Sequence, residues 1–121
     1  MIKQKEKSKE KAEWLKLVEW VEINIFNYDV PYQNLQRNSS LILRGLRKGQ
    51  HFANNKNTIN GDYPFDVILM AFKANKVKIQ NSIKNKNFLN EENKMFYVCS
   101  IVRNDLEDIY NRYLKAMQKN K

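Results

Sequence analysis

The sequence predicts an all-α fold, a compact bundle of about five helices with a long C-terminal helix. Apolar residues recur at three- and four-residue spacing in several separate stretches, which is the pattern of amphipathic helices. The alternating pattern of strands is almost lacking, and helix-start and helix-end residues separate the apolar stripes. The 121 residues suffice for one domain with its own core. We therefore expect a flexible basic extension over residues 1–11 and a single helical domain over residues 12–121.

The first two helices follow from their apolar residues and their ends. Residues 6–25 carry one apolar stripe, and a proline-containing segment then ends the first helix. A second helix fits residues 38–48, because Asn38 or Ser39 can cap its start and basic residues occupy its last turn.

Two residues depart from the patterns of these helices. Trp20 lies about 120° from the centre of the first apolar stripe at 100° per residue, which indicates either burial on a second side or contact with a partner. Gly45 interrupts the second helix and is expected to let another backbone approach, either a packed helix or a phosphate strand.

The remaining three helices are predicted in the second half of the chain. The third begins at Asp62 or Tyr63 with Pro64 in its first turn, where the missing N–H costs nothing. A short fourth helix carries apolar residues over 77–83. Asn90 and two glutamates start the last helix, because acidic side chains favour the positive end of the helix dipole. The apolar stripe of this last helix is the strongest in the chain and consists of Met95, Val98, Cys99, Val102, Leu106, Ile109, Tyr113 and Met117.

The composition excludes several classes of protein. A single cysteine, Cys99, cannot form an internal disulfide, and a single histidine, His51, excludes the common zinc-finger ligand sets. The longest apolar run, residues 67–72, is too short for a membrane helix, so we expect no membrane partner and a cytoplasmic location. Phosphate-cradling, dinucleotide-binding and nucleophile motifs are lacking. We therefore expect no enzyme, no catalytic residue, no metal site and no cofactor.

The position of the charge is more informative than its size. The formal net charge is +9, but the many asparagines and isoleucines indicate AT-rich coding, which by itself favours lysine. Residues 32–60 contribute +5 without one acidic side chain, and residues 61–90 contribute +3. This concentration predicts a polyanionic partner, DNA or RNA, for the middle of the chain.

The second helix carries the most informative basic group. At 100° per residue, Arg37, Arg44 and Lys48 fall within about 40° of one another, with Arg47 about 60° further round. Apolar side chains fall on the opposite side. The planar fork of arginine suits phosphate contact, so this face is a candidate nucleic-acid surface. The alternative is an ordinary solvated face of an amphipathic helix.

A second basic group lies around the third and fourth helices. It consists of Lys73, Lys76, Lys78, Lys84 and Lys86, with asparagine and glutamine side chains interleaved. This mixture suits contacts to phosphate and sugar, which carry little sequence information. The alternative is that AT-rich coding alone supplied these lysines.

Two stretches carry a recognisable pattern. The first is LILRGLRKG over residues 41–49, and the second runs from Phe88 through Glu91 into NDLEDIYNR over residues 104–112. Together they resemble the C-terminal helical regions of phage and mobile-element replication proteins of the replisome-organiser or DnaD-like kind. The resemblance implies non-specific DNA binding, contact with helicase-loading machinery, or oligomerisation.

These observations predict a non-catalytic, nucleic-acid-associated protein of a phage or mobile element, with replication accessory factor as a candidate role. The alternative is a small phage-encoded inhibitor or adaptor that binds a host protein or nucleoprotein complex, for example an anti-defence or anti-CRISPR protein. A replication or defence protein is thus the alternative partner. A homodimer is a further option, because the apolar stripe over residues 95–117 can pair with a second copy as well as pack internally.

Overall fold

The computed structural model describes residues 2–48 and 63–119, without the side chains of residues 2–7 and Lys48. Within these ranges the chain forms five α-helices, one 3-10 turn and no strand, which confirms the all-α fold with a long C-terminal helix. The elements are α1 (Ile2–Asn24), α2 (Arg37–Gly45), the 3-10 turn (Leu46–Lys48), α3 (Phe65–Ala74), α4 (Lys76–Ile83) and α5 (Glu91–Lys119).

Helix α1 includes most of the segment assigned from sequence to an N-terminal extension. It begins at Ile2, and Glu10 within that segment accepts two hydrogen bonds from Arg47. The flexibility of residues 1–11 stays a prediction.

The starts of α3 and α5 show how local chemistry sets helix ends. The side-chain oxygen of Asn90 accepts a hydrogen bond from the backbone N–H of Asn93 at 2.9 Å, which confirms the predicted start of α5. Pro64 lies just before α3 rather than inside its first turn. Its carbonyl oxygen accepts the N–H groups of Val67 and Ile68 at 3.0 and 3.2 Å, so the proline still supplies the first acceptor of the helix.

Ring contacts and hydrogen bonds define the directions of the helices. Trp14 packs on Phe65 at 5.1 Å between ring centres and Trp20 packs on Phe72 at 6.3 Å. The earlier tryptophan of α1 contacts the earlier phenylalanine of α3, and the later one contacts the later one. Helices α1 and α3 therefore run in the same direction.

Helix α5 runs against α3. Tyr63, just before α3, packs edge-on against Tyr110 in the second half of α5 at 5.4 Å, whereas Lys94 near the start of α5 lies over the ring of Phe26, just past the end of α1. Gln80 of α4 donates to the backbone carbonyl oxygen of Asn24 at 3.0 Å, which fixes α4 at the C-terminal end of α1. We call this end of the bundle the α4 end and the opposite one the Tyr63 end.

The core lies between α1, α2, α3 and α5. Leu17, Leu43, Phe72 and Val98 are fully buried, one from each of these helices. Cys99 is fully buried as well, as its position on the apolar stripe predicted, and desolvation raises the pKa of its thiol to about 12. None of the described helices combines the length and the apolar character that a membrane span requires.

Helix α2 starts earlier than the predicted caps, at Arg37. The predicted cap Asn38 instead uses its side-chain amide to bind Glu92 of α5 at 3.0 Å, and Ser39 is buried. At Gly45, an added Cβ would meet no described atom within 4 Å apart from its chain neighbours and the backbone of its own helix. The expectation of a closely packed helix at Gly45 is therefore wrong for the described part of the chain, and the approach of a phosphate strand stays a prediction.

Replacing Gly45 with alanine should raise the free energy of unfolding by about 0.5–1 kcal/mol, because alanine loses less backbone entropy in a helix and the site has room for its methyl group. Urea unfolding measures the change. The reverse substitution, Ala116→Gly at an exposed position inside α5, should lower the free energy of unfolding by a similar amount. A loss of stability in Gly45→Ala would show that its surroundings are tighter than the structure indicates.

Candidate nucleic-acid interface

Two carboxylates hold the start of α2 against the start of α5. Glu91 accepts hydrogen bonds from the backbone N–H of Gln36 at 2.8 Å and from the hydroxyl of Tyr28. Glu92 accepts a bond from the side-chain amide of Asn38 at 3.0 Å. These bonds fix the first turn of α2, which carries the first arginine of the predicted basic face.

The carboxyl group of Glu91 is stabilised in its charged form. Burial raises its pKa, but the nearby hydroxyls of Ser39 and Tyr28 and the N–H of Gln36 outweigh burial, so the pKa lies below its usual value. Burial and the adjacent Glu91 carboxylate together raise the pKa of the Tyr28 hydroxyl, which therefore remains a donor.

Arg37 and Arg44 lie on one exposed face of α2, as their spacing predicted. They are seven residues apart, which places them about 10 Å apart along the helix axis. The guanidinium carbon of Arg44 lies 5.5 Å from the ring centre of Trp14 and 5.8 Å from that of Phe65, a cation–π arrangement. Among the described side chains, no carboxylate forms an ion pair with Arg37 or Arg44.

Arg47, predicted on the same surface, is engaged with α1. Its Nη1 and Nη2 atoms donate to the two carboxylate oxygens of Glu10 at 3.0 and 3.2 Å, and its guanidinium carbon lies 5.3 Å from the ring centre of Phe65. A bidentate ion pair offsets much of the guanidinium charge. Arg47 thus adds less positive charge to the surface than helical spacing alone indicates. Lys48 belongs to the 3-10 turn, and its side chain lies outside the described part of the chain.

The predicted lysines lie at the α4 end of the bundle. Lys73 is in the last turn of α3, Lys78 is in α4 and Lys84 follows α4 directly, and all three side chains are exposed. Lys76, the first residue of α4, is half-buried. None of these four residues, which we call the lysine group, forms an ion pair with a described side chain.

The predicted site residues therefore fall into separate places. Arg44 and Arg47 meet over the ring of Phe65 at the Tyr63 end, whereas the lysine group and Arg37 lie towards the α4 end. Phe65 and Lys73 are eight residues apart in α3, about 12 Å along its axis. Only an extended anion could contact both ends at once.

Several side-chain contacts and buried polar atoms in the structure could not be predicted from the sequence. Trp14 supports Arg44 from another helix, and Lys94 of α5 places its Nζ atom 4.7 Å from the ring centre of Phe26. Burial lowers the pKa of Lys94. The Nε and Nη2 atoms of Arg103 are buried without a hydrogen-bond partner in the described structure, and this burial lowers the pKa of Arg103.

A pair of carboxyl groups joins α1 to α3 at the Tyr63 end. Glu13 and Asp66 line a groove of about 400 Å³ that also contains Lys9, Arg47 and Tyr113. Burial raises the pKa of Glu13, and a hydrogen bond with Asp66 raises it further. Two carboxyl groups can form such a bond only when one of them holds a proton, so the bond favours the protonated form of Glu13.

Replacing Glu13 with glutamine should stabilise the fold near neutral pH by up to about 1 kcal/mol, because the amide donates a hydrogen bond to Asp66 without needing a proton. The pKa of the Glu13 carboxyl group is higher in the folded state than in the unfolded state. The stabilisation that its bound proton provides is therefore fully present below the unfolded-state pKa, and it is lost as pH rises through the folded-state pKa. Urea unfolding across the acid range should therefore show a flatter pH dependence for Glu13→Gln. The control Glu19→Gln, at an exposed position of α1, should keep the parental pH dependence. Equal responses of the two variants would contradict the shared proton.

Metal binding finds no support in the described residues. No group of three or more histidine, cysteine, aspartate or glutamate side chains is placed there to hold a metal ion. His51 lies outside the described residues. The expectations of no enzymatic activity and no cofactor stay predictions.

Fold and surface together define a small all-helical protein with unpaired cations at both ends of the described bundle. Over its whole length, residues 1–121, the sequence matches the family described as SPbeta prophage protein YorH, and the chain belongs to this family of phage proteins. No curated protein and no solved structure matches the chain. The membership supports the predicted phage origin, while the resemblance to replisome-organiser or DnaD-like proteins stays a prediction.

Proposed function

We propose that the chain is a non-catalytic, nucleic-acid-associated phage protein that contacts phosphates through cations on α2, α3 and α4. One observation carries the proposal. Arg37, Arg44 and the lysine group form no ion pair among the described side chains, whereas Arg47 and Arg112 are each paired with a carboxylate. Cations without an internal partner keep their donors for an external anion, and phosphate oxygens are good acceptors for them.

The arrangement favours binding along a nucleic-acid backbone over recognition of a base sequence. The cations lie towards both ends of α3, at a separation that an extended polyanion can span and a small anion cannot. Arg44 is also held over two aromatic rings, which reduces the entropy that its side chain loses when it orders on a phosphate. The resemblance to phage replication proteins implies a role as a replication accessory factor, and a cytoplasmic location is part of this proposal.

A salt titration tests this function. Fluorescence anisotropy would follow the binding of the full chain to labelled duplex DNA, single-stranded DNA and RNA. If Arg37, Arg44 and the lysine group contact about six phosphates, the logarithmic salt slope on duplex DNA should be about −5. Affinity should then fall about 10³-fold between about 50 and about 200 mM salt. If the chain binds none of the three nucleic acids at the lower salt concentration while its helical circular dichroism is intact, the proposal is overturned.

A second candidate is an inhibitor or adaptor that binds a host protein or nucleoprotein complex, such as a component of a defence system. Leu41 favours it, because this side chain lies between Arg37 and Arg44 on α2 and is 55% exposed. Leu15 of α1 is 56% exposed as well. An exposed leucine between two arginines, as at Leu41, suits a partner surface that is both apolar and acidic. If the chain binds a host protein, Leu41→Ser should weaken binding to that purified protein. If the chain binds nucleic acid instead, Leu41→Ser should leave DNA binding unchanged.

A homodimer through the last turns of α5 is also proposed. Leu114 and Met117 are exposed there, beyond the last fully buried position of the α5 stripe, Leu106. Light scattering at two protein concentrations would detect the doubled mass of a dimer. Met117→Lys should return the mass to that of a monomer.

A further inference from the structure

A groove of about 260 Å³ lies between α1 and α3, and none of its lining residues belongs to α2. The residues that line it are Lys16, Glu19, Trp20, Ile23 and Asn24 of α1 and Leu69 and Lys73 of α3. Its volume suits one flat ring better than a row of side chains. Its apolar surface comes from a half-buried tryptophan, a half-buried leucine and an isoleucine that is 42% exposed.

Trp20 packs against the core within this groove. Its ring packs on the fully buried Phe72 at 6.3 Å between ring centres, with 57° between the ring planes. The side-chain amide of Asn24 donates to the backbone carbonyl oxygen of Trp20 at 3.0 Å, one helical turn away. An aromatic ring that the core supports, yet that still lines an open groove, has the properties of a platform on which a nucleobase can stack.

Two lysines flank this ring. Lys16 and Lys73 are exposed, on α1 and α3 respectively. Because α1 and α3 run in the same direction with Trp20 level with Phe72, the two lysines are about 8 Å apart along the helix axes. Glu19 is the one acidic residue of the lining, so the groove keeps a net positive charge.

We infer that this groove binds an unstacked base of a single-stranded nucleic acid, with Trp20 as the stacking platform and Lys16 and Lys73 on the flanking phosphates. The inference rests on the proposed function and narrows its partner. A base in a duplex is already stacked on its neighbours and cannot enter the groove, whereas a base in a single strand is free to do so. The charge on both walls favours a nucleic acid over an apolar peptide.

Tryptophan fluorescence can test the inference, because the chain has two tryptophans and Trp14→Phe leaves Trp20 as the single emitter. The full chain with this change is titrated with a labelled oligothymidine and with a labelled duplex, and anisotropy and Trp20 emission are read together. The expected result is saturable quenching of Trp20 by the single strand, in step with anisotropy, and none by the duplex. Trp20→Leu should weaken single-strand binding roughly 5- to 100-fold and leave duplex binding unchanged. The control Tyr32→Leu removes an aromatic ring that is 86% exposed elsewhere and should leave both affinities unchanged.

The two readouts separate this inference from the proposed function. Binding seen by anisotropy without quenching of Trp20 would overturn the inference and leave the proposed function standing. Loss of affinity in Trp20→Leu that is equal for single strand and duplex would overturn it too. No binding to either oligonucleotide, nor to single-stranded RNA, would overturn both. Quenching by an apolar peptide but not by the single strand would assign the groove to a protein partner instead.

Discussion

Reversing the charges of Arg44 and Lys78 together should weaken binding to duplex DNA by at least about 100-fold. A charge-assisted contact to phosphate contributes about 1.5 kcal/mol or more, which corresponds to about tenfold in affinity for each contact. The logarithmic salt slope should become shallower by about 2 units, since two phosphates lose their partners. Both side chains are exposed and neither has an ion-pair partner among the described residues, so Arg44→Glu with Lys78→Glu should remain folded.

A second double variant separates contact from overall charge. Lys115→Glu with Lys119→Glu makes the same change in net charge on the exposed last turns of α5. If binding depended on net charge alone, the two double variants would lose affinity equally. If Arg44 and Lys78 touch the phosphates, the α5 variant keeps most of its affinity and its salt slope. Anisotropy titrations at several salt concentrations measure both quantities, and circular dichroism verifies the helical content. Parental affinity in the Arg44 and Lys78 variant would contradict the proposed surface.

Arg47 is a poorer position for this experiment, although the helical wheel groups it with Arg44. Its charge reversal would break the bidentate pair with Glu10 and set two carboxylates against each other. A loss of binding would then mix the effect on the surface with an effect on the contact between α1 and the end of α2.

The difference between Arg44 and Arg47 shows which part of the candidate site the sequence could predict. The helical period of a single segment places both arginines on α2 and its continuation, and it places Arg44 on the exposed side correctly. The partner that neutralises Arg47 is 37 residues away on another helix. Nothing in the spacing of one helix encodes which residue of a neighbouring helix will face it. The aromatic rings beneath Arg44, from α1 and α3, escaped prediction for the same reason.

The fold was more predictable, because its signals are local. The cap of α5 needs only residues 90 and 93, and the burial of Cys99 follows from its position on an apolar stripe. Errors arose where a local signal competed with a distant one. Asn38 suits a cap by its residue type, but Glu92 on α5 binds its amide instead. Gly45 suggested a closely packed helix, whereas no described atom of another element lies within 4 Å of a Cβ built there.

Removing the carboxyl group of Glu91 should destabilise the fold more than removing that of its neighbour Glu92. Glu91→Ala leaves the backbone N–H of Gln36 and the hydroxyl of Tyr28 without their acceptor. The Tyr28 hydroxyl is partly buried, and an unpaired polar group in such a position costs about 1–3 kcal/mol, so urea unfolding should show a loss of about that size. The matched control is Glu92→Ala, which changes the next residue of the same helix and removes one exposed bond, from Asn38. Equal losses in the two variants would show that Glu91 does not hold α2 against α5.

The pH dependence gives a second, independent reading of Glu91. Its folded-state pKa is lowered, so the stability that it contributes is present above the unfolded pKa and is lost as pH falls through the folded pKa. The stability contributed by Glu13 has the opposite pH dependence, because its folded-state pKa is raised. Glu91→Gln should therefore be less stable than the parent near neutral pH, and Glu13→Gln more stable, with both differences shrinking in acid. If the Glu91→Gln difference instead persists unchanged down to the acid limit of folding, the carboxylate charge contributes nothing and Glu91 acts as a neutral acceptor only.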